Sequence, residues 1–506
     1  MRILESIDKF AKTERVAIRC LGNELKYKEL KDYSNKVATY LLEEFKEDRT
    51  PIVIYGNKEN EILPLMMGAL KAGRAYVPID ISFPRDRIEQ IITEVNPKVI
   101  FNCTNNIISI DNIPELNLVA IKEIFNSNHA ISVTKNDWVT DEDNCYILFT
   151  SGSTGKPKGV QINKRNLDSF ITWFEKDTYI DETSTVMLNQ PAYSFDLSVV
   201  PLYLGLCNGK TLFSLDKSTL QDLGEMFDAL VASDVDCWVS TPTLADICNK
   251  FDDFNSKFMS KISKFIFIGE VLTKNTAKTL MEKFPKAKII NAYGPTEATV
   301  AISVIDITKE MLEDKKPLPI GIPIANCELS IEDEDGNKLK DGEKGELVVV
   351  GDSVSRGYLN NQEMTSKVFF KTNDNKQGYK TGDLAYYENK ILYYSGRKDF
   401  QIKLNGFRIE IEDIENNLRK VENINNVAVL PVFNNENKIS HLIAFIVLNK
   451  ENDLSNLKNS MIIKEDVKKF IPSYMIPRNI KILKRFPLNV NGKIDRKKLM
   501  EDLKSC

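Results

Sequence analysis

Leu148-Phe149-Thr150-Ser151-Gly152-Ser153-Thr154-Gly155-Lys156-Pro157-Lys158-Gly159-Val160 decides how the chain is read. The apolar run from Cys145 to Phe149 predicts a buried strand, and it opens directly into hydroxyls, glycines and lysines. Glycine lets successive backbone N–H groups turn toward one point, which makes a cradle for anionic oxygens. Thr150, Ser151, Ser153 and Thr154 add hydroxyl donors, Gly152 and Gly155 add backbone freedom, and Lys156 and Lys158 add positive charge. A solvated Gly/Ser turn would have a similar composition. The P-loop of GTPases and ATPases does not fit, because it needs Gly-Lys followed by Ser or Thr to hold Mg²⁺, and here Pro157 follows Lys156.

The 506 residues exceed one ordinary core and imply roughly two to four domains. With 42% hydrophobic and 28% charged residues the composition is that of a soluble globular protein. No apolar run is long enough to span a bilayer. The amphipathic, acidic start Met1–Asp8 lacks the apolar core of a signal peptide. A net charge of −4 argues against a general nucleic-acid binder. Eight cysteines are scattered without a Cys-x-x-Cys pair, which suits a reducing cytoplasm in which thiols serve as small core residues. Two histidines, His129 and His441, stand apart from other ligand-type residues, so a His-based metal site or a Ser-His-Asp triad is not expected.

Away from the glycine-rich stretch the pattern alternates. Residues 1–50 read as helix, a short extended piece at Leu25–Tyr27, and helix through Leu42. Pro51–Tyr55, Ala75–Ile79 and Val99–Phe101 read as strands, with helices between them at Ile62–Leu70 and Arg85–Val95. Pro64 is compatible only with a first helical turn. Such alternation predicts a parallel sheet covered on both faces. Residues 103–140 are weakly patterned. Beyond the stretch, Asn166–Lys176 reads as helix, and Val186–Asn189, Asp236–Ser240, Phe265–Ile268 and Ala287–Asn291 read as strands ending in polar turns. Open α/β sheets place their sites beyond such strand ends. From about 318 the pattern turns β-like, with a hairpin signal at Asp335-Gly336, and a small β-barrel is expected there. After about 400 a compact α+β unit follows: helices at Arg408–Arg419 and Ile463–Phe470, and strands at Val427–Val432, Leu442–Val447 and Ile480–Leu483.

Several short strings could carry chemistry. Asp196 is a carboxylate among apolar neighbours, costly unless paired; it reads as an N-cap or as the counter-charge of a ligand ammonium. Asn291-Ala292-Tyr293-Gly294-Pro295-Thr296-Glu297 offers an amide, an aromatic face, a turn, a hydroxyl and a carboxylate, or else an ordinary turn before a helix. Thr381-Gly382-Asp383 and Gly396-Arg397-Lys398-Asp399 are charged turns. Asn489-Val490-Asn491-Gly492 is a tight-turn signal that projects Lys493 from a loop.

In this order, those strings resemble the motifs of the adenylate-forming enzymes: acyl-CoA synthetases, luciferases and peptide-synthetase adenylation domains. The resemblance covers nearly the whole chain. It implies an α/β fold: a large N-terminal domain of parallel sheets covered by helices (1–395, β-rich over about 318–395), a hinge at 396–400, and a mobile α+β domain (401–506) carrying Lys493. It implies ATP as substrate with Mg²⁺, the phosphates meeting Thr150 through Gly155 with Lys156 and Lys158. Tyr293 would stack on adenine beside Ala292 and Gly294, Asn291 would meet its amino group, and Asp383 and Arg397 would lie at the ribose. Thr296 would serve phosphate and Glu297 the metal. Lys493 would bind carboxylate and phosphate oxygens, and Asp399 would be the pivot.

Within that superfamily, Ser240-Thr241-Pro242-Thr243, Gly269-Glu270-Val271-Leu272, Tyr293–Ala301 and Phe400–Leu404 resemble the stand-alone D-alanine-activating carrier-protein ligases of Gram-positive bacteria. This implies D-alanine, held at its ammonium by Asp196 in a pocket of Leu197, Val200, Ile266, Ile268, Gly269, Ala292, Val300 and Ala301. It further implies transfer to the phosphopantetheine thiol of a separate carrier protein, for D-alanylation of lipoteichoic acid. One departure is Ile268, where those ligases place Cys. A ligase for another small amino acid fits Asp196 equally well. A CoA ligase fits it poorly, and a non-catalytic nucleotide-binding regulator is opposed by Lys493, Glu297 and Asp383.

Overall fold

The run after Pro51 folds as the strand Ile52–Gly56, every residue of which is buried. Its parallel partner Tyr76–Asp80 is likewise buried throughout. Strands covered on both faces read as continuous apolar runs rather than alternating ones, which is why both were legible. The helix Ile62–Lys71 between them is wholly buried, has Pro64 in its first turn, and is followed by Gly73 at φ +68°.

The computed structural model describes the chain except residues 21, 109, 111–112, 128–131, 153–155, 177–184, 435–437, 451–453, 488–493 and 505–506. It divides into two units. The first comprises Met1–Ile81, Ile92–Phe149 and Gly159–Lys398. The second gathers Ser82–Ile91, Thr150–Lys158 and Asp399–Cys506.

Among the described residues the first unit is built on three sheets. In the six-stranded sheet the order is Glu115–Leu116, Ile100–Asn102, Ile52–Gly56, Tyr76–Asp80, Asn144–Thr150, Lys158–Asn163. A nine-stranded sheet has at its centre the parallel strands Lys288–Tyr293, Lys264–Phe267, Cys237–Ser240, Val186–Asn189 and Thr211–Ser214. Val16–Cys20 continues the parallel pairing beside Thr211–Ser214, and the edges are antiparallel: Ser303–Asp306 and Ile322–Pro323 on one side, Asn23–Lys26 on the other. The third sheet is antiparallel and five-stranded: Cys327–Glu332, Gly345–Gly351, Gln377–Glu388, Phe369–Lys371 and Ile391–Arg397. The expected β-barrel is here an open sheet among the described residues. Its pairing order ends at Cys327–Glu332 and at Phe369–Lys371, with Ile391–Arg397 branching from Gln377–Glu388.

Three other readings are corrected. The strand Val16–Cys20 is absent from the sequence reading, because it is fixed by parallel pairing of Ile18 with Leu212, remote in the chain. Residues 103–140 contain the helix Leu118–Asn126, capped by Asn117, whose side-chain oxygen accepts from Val119 N and Ala120 N at 3.1 Å each. In the second unit the helix read as Ile463–Phe470 is Asn456–Val467. Its exposed residues include Leu457, Met461 and Ile462, while Asn459 and Ser460 are buried, so its face pattern is inverted and periodicity misplaces it.

The second unit also holds the hairpin Gln401–Leu404/Phe407–Glu410, turned through Asn405 (φ +51°) and Gly406 (φ +85°). The helix Ile411–Leu418 follows. A three-stranded sheet of Ile424–Phe433, Ile439–Leu448 and Asn479–Ile482 completes the core with Ile409, Ile414, Val427 and Ala444. The described cysteines, Cys20, Cys103, Cys145, Cys207, Cys237, Cys248 and Cys327, are all buried.

Candidate functional site

The strand Lys288–Tyr293 delivers Asn291, Ala292 and Tyr293 to its carboxyl end in the first unit. There the Tyr293 hydroxyl donates to Asp383 Oδ2. The other carboxylate oxygen, Oδ1, accepts from Arg397 Nη1 at 2.7 Å. Asp383 and Arg397 are cross-strand partners, so the ion pair is built into the sheet register. Burial first, and then the Asp383 carboxylate, push the Tyr293 phenol well above its usual range, so it stays a donor. Tyr394 lies tilted against Tyr293, with ring centroids 6.4 Å apart. Three residues expected to hold adenosine are thus one hydrogen-bonded chain. Asn291, expected to meet adenine, donates instead to Pro319 O at 2.7 Å.

Asp196 and Thr296 are also brought together: the Thr296 hydroxyl donates to Asp196 Oδ2 at 2.6 Å. Asp196 is not an N-cap, since Phe195 occupies that position and Asp196 opens the short 3-10 turn Asp196–Ser198. The next residue pair of the motif behaves differently. Glu297 is fully buried and its Oε1 accepts from Tyr358 Oη at 2.8 Å. Its backbone carbonyl accepts from Ser355 N at 2.8 Å.

Of the pocket residues expected from the sequence, Leu197, Val200, Ile266, Ile268, Ala292, Val300 and Ala301 are buried in one apolar cluster, and Gly269 is half-buried. Gly269 ends the strand Lys264–Phe267 region at φ +96°. Next to it, Glu270 Oε2 accepts from Thr243 Oγ1 at 2.5 Å and Thr243 N at 3.2 Å, which ties two strand-end turns together. Thr299 and Val300 lie at φ +57° and +71°, a region that branched side chains rarely enter. Thr299 Oγ1 bonded to Ser353 O at 2.7 Å, and Ile302 N bonded to Tyr293 O at 2.7 Å, hold the segment there. Gly294 makes this approach possible, because a Cβ would meet Ala301 Cα and Val300 O at 2.6 Å each.

In the second unit lies the stretch Thr150–Lys158. Among the described residues Thr150 Oγ1 is buried without a hydrogen-bond partner. The Ser151 hydroxyl donates to Arg408 O at 3.0 Å and accepts from Glu410 N at 3.1 Å. Gly152 is obligatory, since a Cβ would lie 2.1 Å from Lys156 O. Lys156 is exposed, whereas Lys158 is buried and 3.5 Å from Glu410 Oε1. Asp399 Oδ1 accepts from Gln401 N at 3.1 Å. Ser153, Thr154, Gly155 and Lys493 lie outside the described residues.

Sequence reasoning missed Tyr358, Tyr394 and Glu410. None sits in a turn or glycine-rich string; each matters through a partner distant in the chain. Among the described residues no cluster of His, Cys, Asp or Glu forms a ready metal site. No described helix is long and apolar enough to cross a membrane.

The chain matches the AMP-binding enzyme family over residues 7–359 and the AMP-binding enzyme C-terminal domain over residues 413–493. It is 39% identical over 508 aligned positions to a D-alanine–D-alanyl carrier protein ligase of Bacillus cereus (strain B4264), covering 99% of this chain and 100% of that one. A ligase of the same name from Bacillus anthracis is equally similar, with the same coverage. Among solved structures, the Vibrio cholerae adenylation domain AlmE, in complex with glycyl-adenosine-5'-phosphate, superposes with a TM-score of 0.85 at 21% identity. That match covers 100% of this chain and 97% of AlmE. The four-domain nonribosomal peptide synthetase AB3403, bound to AMP and glycine, matches with a TM-score of 0.69 at 28% identity, over 98% of this chain and 36% of that one.

Proposed function

The chain belongs to the AMP-binding enzyme family, and on that premise we propose that it activates D-alanine with ATP and loads it onto a separate carrier protein. The product acceptor is the phosphopantetheine thiol of that carrier, and the use is D-alanylation of lipoteichoic acid in the cytoplasm-facing part of wall synthesis. Full-length similarity to D-alanine–D-alanyl carrier protein ligases supports this reading.

In the first half-reaction a carboxylate oxygen of the amino acid attacks the α-phosphorus of ATP. The new bond is a mixed anhydride, and pyrophosphate leaves with the electron pair. Tyr293 offers its face to adenine, and Asp383, held by Tyr293 and Arg397, accepts from the ribose hydroxyls through its remaining lone pairs. The hydroxyls and lysines of Thr150–Lys158, with Lys493, meet the negative charge that builds on phosphate oxygens. The buried Thr150 hydroxyl, without a partner among the described residues, fits such a role. Mg²⁺ would take Glu297 as a hard oxygen ligand beside the Thr296 hydroxyl, and it would shield phosphate charge. In the second half-reaction, after rotation about Asp399, the carrier thiol sulfur attacks the acyl carbonyl. A thioester forms and AMP departs. A thiol needs little activation, since a few per cent is thiolate near neutrality.

The observation that carries the amino-acid assignment is Asp196. A carboxylate opens a turn whose neighbours Leu197 and Val200 are fully buried, and its Oδ2 accepts from the Thr296 hydroxyl. An ammonium is the natural counter-charge there, and the apolar pocket would strip a polar side chain of solvation without replacing it. The test is pyrophosphate exchange across D-alanine, L-alanine, glycine, serine, valine and β-alanine, with D-alanine expected to lead. A tenfold preference for another member would overturn D-alanine and leave the adenylation reading standing. Buried Ile268 favours that second reading: it cannot present a sulfur to the substrate, and a methyl-sized difference is worth only about 1–3 kcal/mol.

A further inference from the structure

The strand Gln377–Glu388, which carries Asp383 to Tyr293 and Arg397, is bulged at that residue. Along the neighbouring strand Gly345–Gly351, Glu346 pairs with Leu384 and Val348 with Lys380, so Leu347 alone stands opposite Thr381, Gly382 and Asp383. Gly382 turns there through φ +71°, where glycine is favoured. Two side chains pin the bulge. The Thr381 hydroxyl donates to Leu347 O at 2.7 Å and accepts from Asp383 N at 3.0 Å. Glu346 Oε1 accepts from Gly382 N at 3.0 Å, and its Oε2 lies 3.2 Å from Lys398 Nζ. Lys398 in turn donates its backbone N–H to Gly382 O at 2.9 Å. Glu346 therefore grips the residue before Asp383, with one carboxylate oxygen on the backbone and the other on a lysine.

Resting on the reading of Asp383 as the acceptor of the ribose hydroxyls, we propose that Glu346 is a positioning residue for the nucleotide. It fixes the Gly382 amide, and so the direction in which Asp383 presents its carboxylate to the ribose. That carboxylate already carries a phenol on Oδ2 and a guanidinium on Oδ1, which leaves about two of its four acceptor sites. Their aim follows the backbone at Gly382 and Asp383. Hydrogen bonds weaken steeply once misaligned, and those to a carboxylate are the strong, charge-assisted kind, so a small turn of the bulge is felt in full by the ribose. The ion pair to Lys398 is partly exposed and contributes little energy by itself. It holds Oε2 to one side, so that Oε1 faces the amide. Glu346 thus acts on nucleotide affinity through Asp383 and places no demand on the amino acid.

The test is calorimetric titration of the full chain with ATP and with 2',3'-dideoxy-ATP, which lacks the hydroxyls that Asp383 would accept from. Wild type should bind ATP at least about tenfold more tightly than the dideoxy nucleotide. Glu346→Ala should weaken ATP binding about fivefold to twentyfold and leave dideoxy-ATP within about twofold, so that the preference collapses. Glu346→Gln keeps an acceptor for the Gly382 amide and should restore most of the preference. An equal loss for both nucleotides in Glu346→Ala marks a general structural role and overturns the proposal. A loss in Glu346→Gln as large as in Glu346→Ala overturns it too. Should Glu346→Ala not fold, Glu346→Asp decides. It keeps the charge but withdraws the acceptor by one methylene, and it should lose the preference; a wild-type preference there overturns the proposal. Equal binding of the two nucleotides by wild type would remove the ribose reading of Asp383, and the proposal with it. That failure is seen before any substitution, so it is distinct from a failure of Glu346 alone.

Discussion

Asp196 and Thr296 stand 100 residues apart in the chain and share one hydrogen bond of 2.6 Å. Asp196→Asn would keep that acceptor and remove the charge. We expect the KM for the amino acid to rise about 10- to 100-fold, the loss of one charge-assisted contact, while the KM for ATP moves less than about twofold. Pyrophosphate-exchange kinetics with each substrate varied in turn check this; an equal rise in both constants would remove the ammonium role. Asp196, Tyr293, Asp383 and Arg397 were legible because each sits in a string where charge or aromaticity interrupts an apolar or glycine-marked pattern. Their mutual arrangement was not. Nothing near Tyr293 in sequence announces that its hydroxyl meets Asp383, and nothing near Thr296 announces that it turns to Asp196. Tyr358 and Glu410 are the extreme cases, ordinary residues locally that the fold brings to Glu297 and Lys158.

At the level of elements, the end of one sheet is tied to the segment that carries Asp196. Lys58, just beyond the strand Ile52–Gly56, is fully buried and donates to Pro191 O at 2.7 Å and Asn189 Oδ1 at 3.2 Å. Its Nζ lies 4.0 Å from the centroid of the Tyr193 ring. Burial pulls the Lys58 ammonium down to about 7. Between that value and the ordinary value of 10.5 the unfolded chain holds a proton that the folded chain does not. Folded stability therefore rises with pH across this window, and the penalty is largest below it. Measured by denaturant midpoint from pH 7 to 9.5, wild type should gain on Lys58→Met by at most about 1.4 kcal/mol per pH unit. A flat difference would mean that Lys58 stays charged in the fold. The parallel strands around it were readable from continuous apolar runs. The Thr299–Val300 backbone was not, because branched residues give no local hint of positive φ. Tertiary bonds to Ser353 and Tyr293 hold that conformation, and the bare Cα of Gly294 makes room for it.

For the whole molecule, the proposed cycle needs one chain to serve two half-reactions in turn. Asp399, the proposed pivot, has its carboxylate on the Gln401 amide. Asp399→Pro fixes φ near −65° and removes that bond. We expect pyrophosphate exchange to stay within about tenfold of wild type and thioester formation to fall by about 100-fold or more, read by single-turnover transfer to the carrier. Wild-type transfer would place the pivot elsewhere. The burial of the described cysteines bears on the same chemistry from another side. An acyl adenylate is an electrophile waiting for a sulfur nucleophile, and a protein rich in reactive thiols would intercept its own product. Here burial pushes the Cys20 thiol up to about 11 and the Cys248 thiol up to about 12, and drives Cys103 and Cys145 well above the usual thiol range. The thiolate is the reactive form, so these sulfurs are chemically silent in the folded state. None of the seven described cysteines needs removal before a dye is attached at an introduced surface cysteine; Cys506 lies outside the described residues. Peptide mapping after brief iodoacetamide treatment should find these seven sites unmodified until denaturant is added.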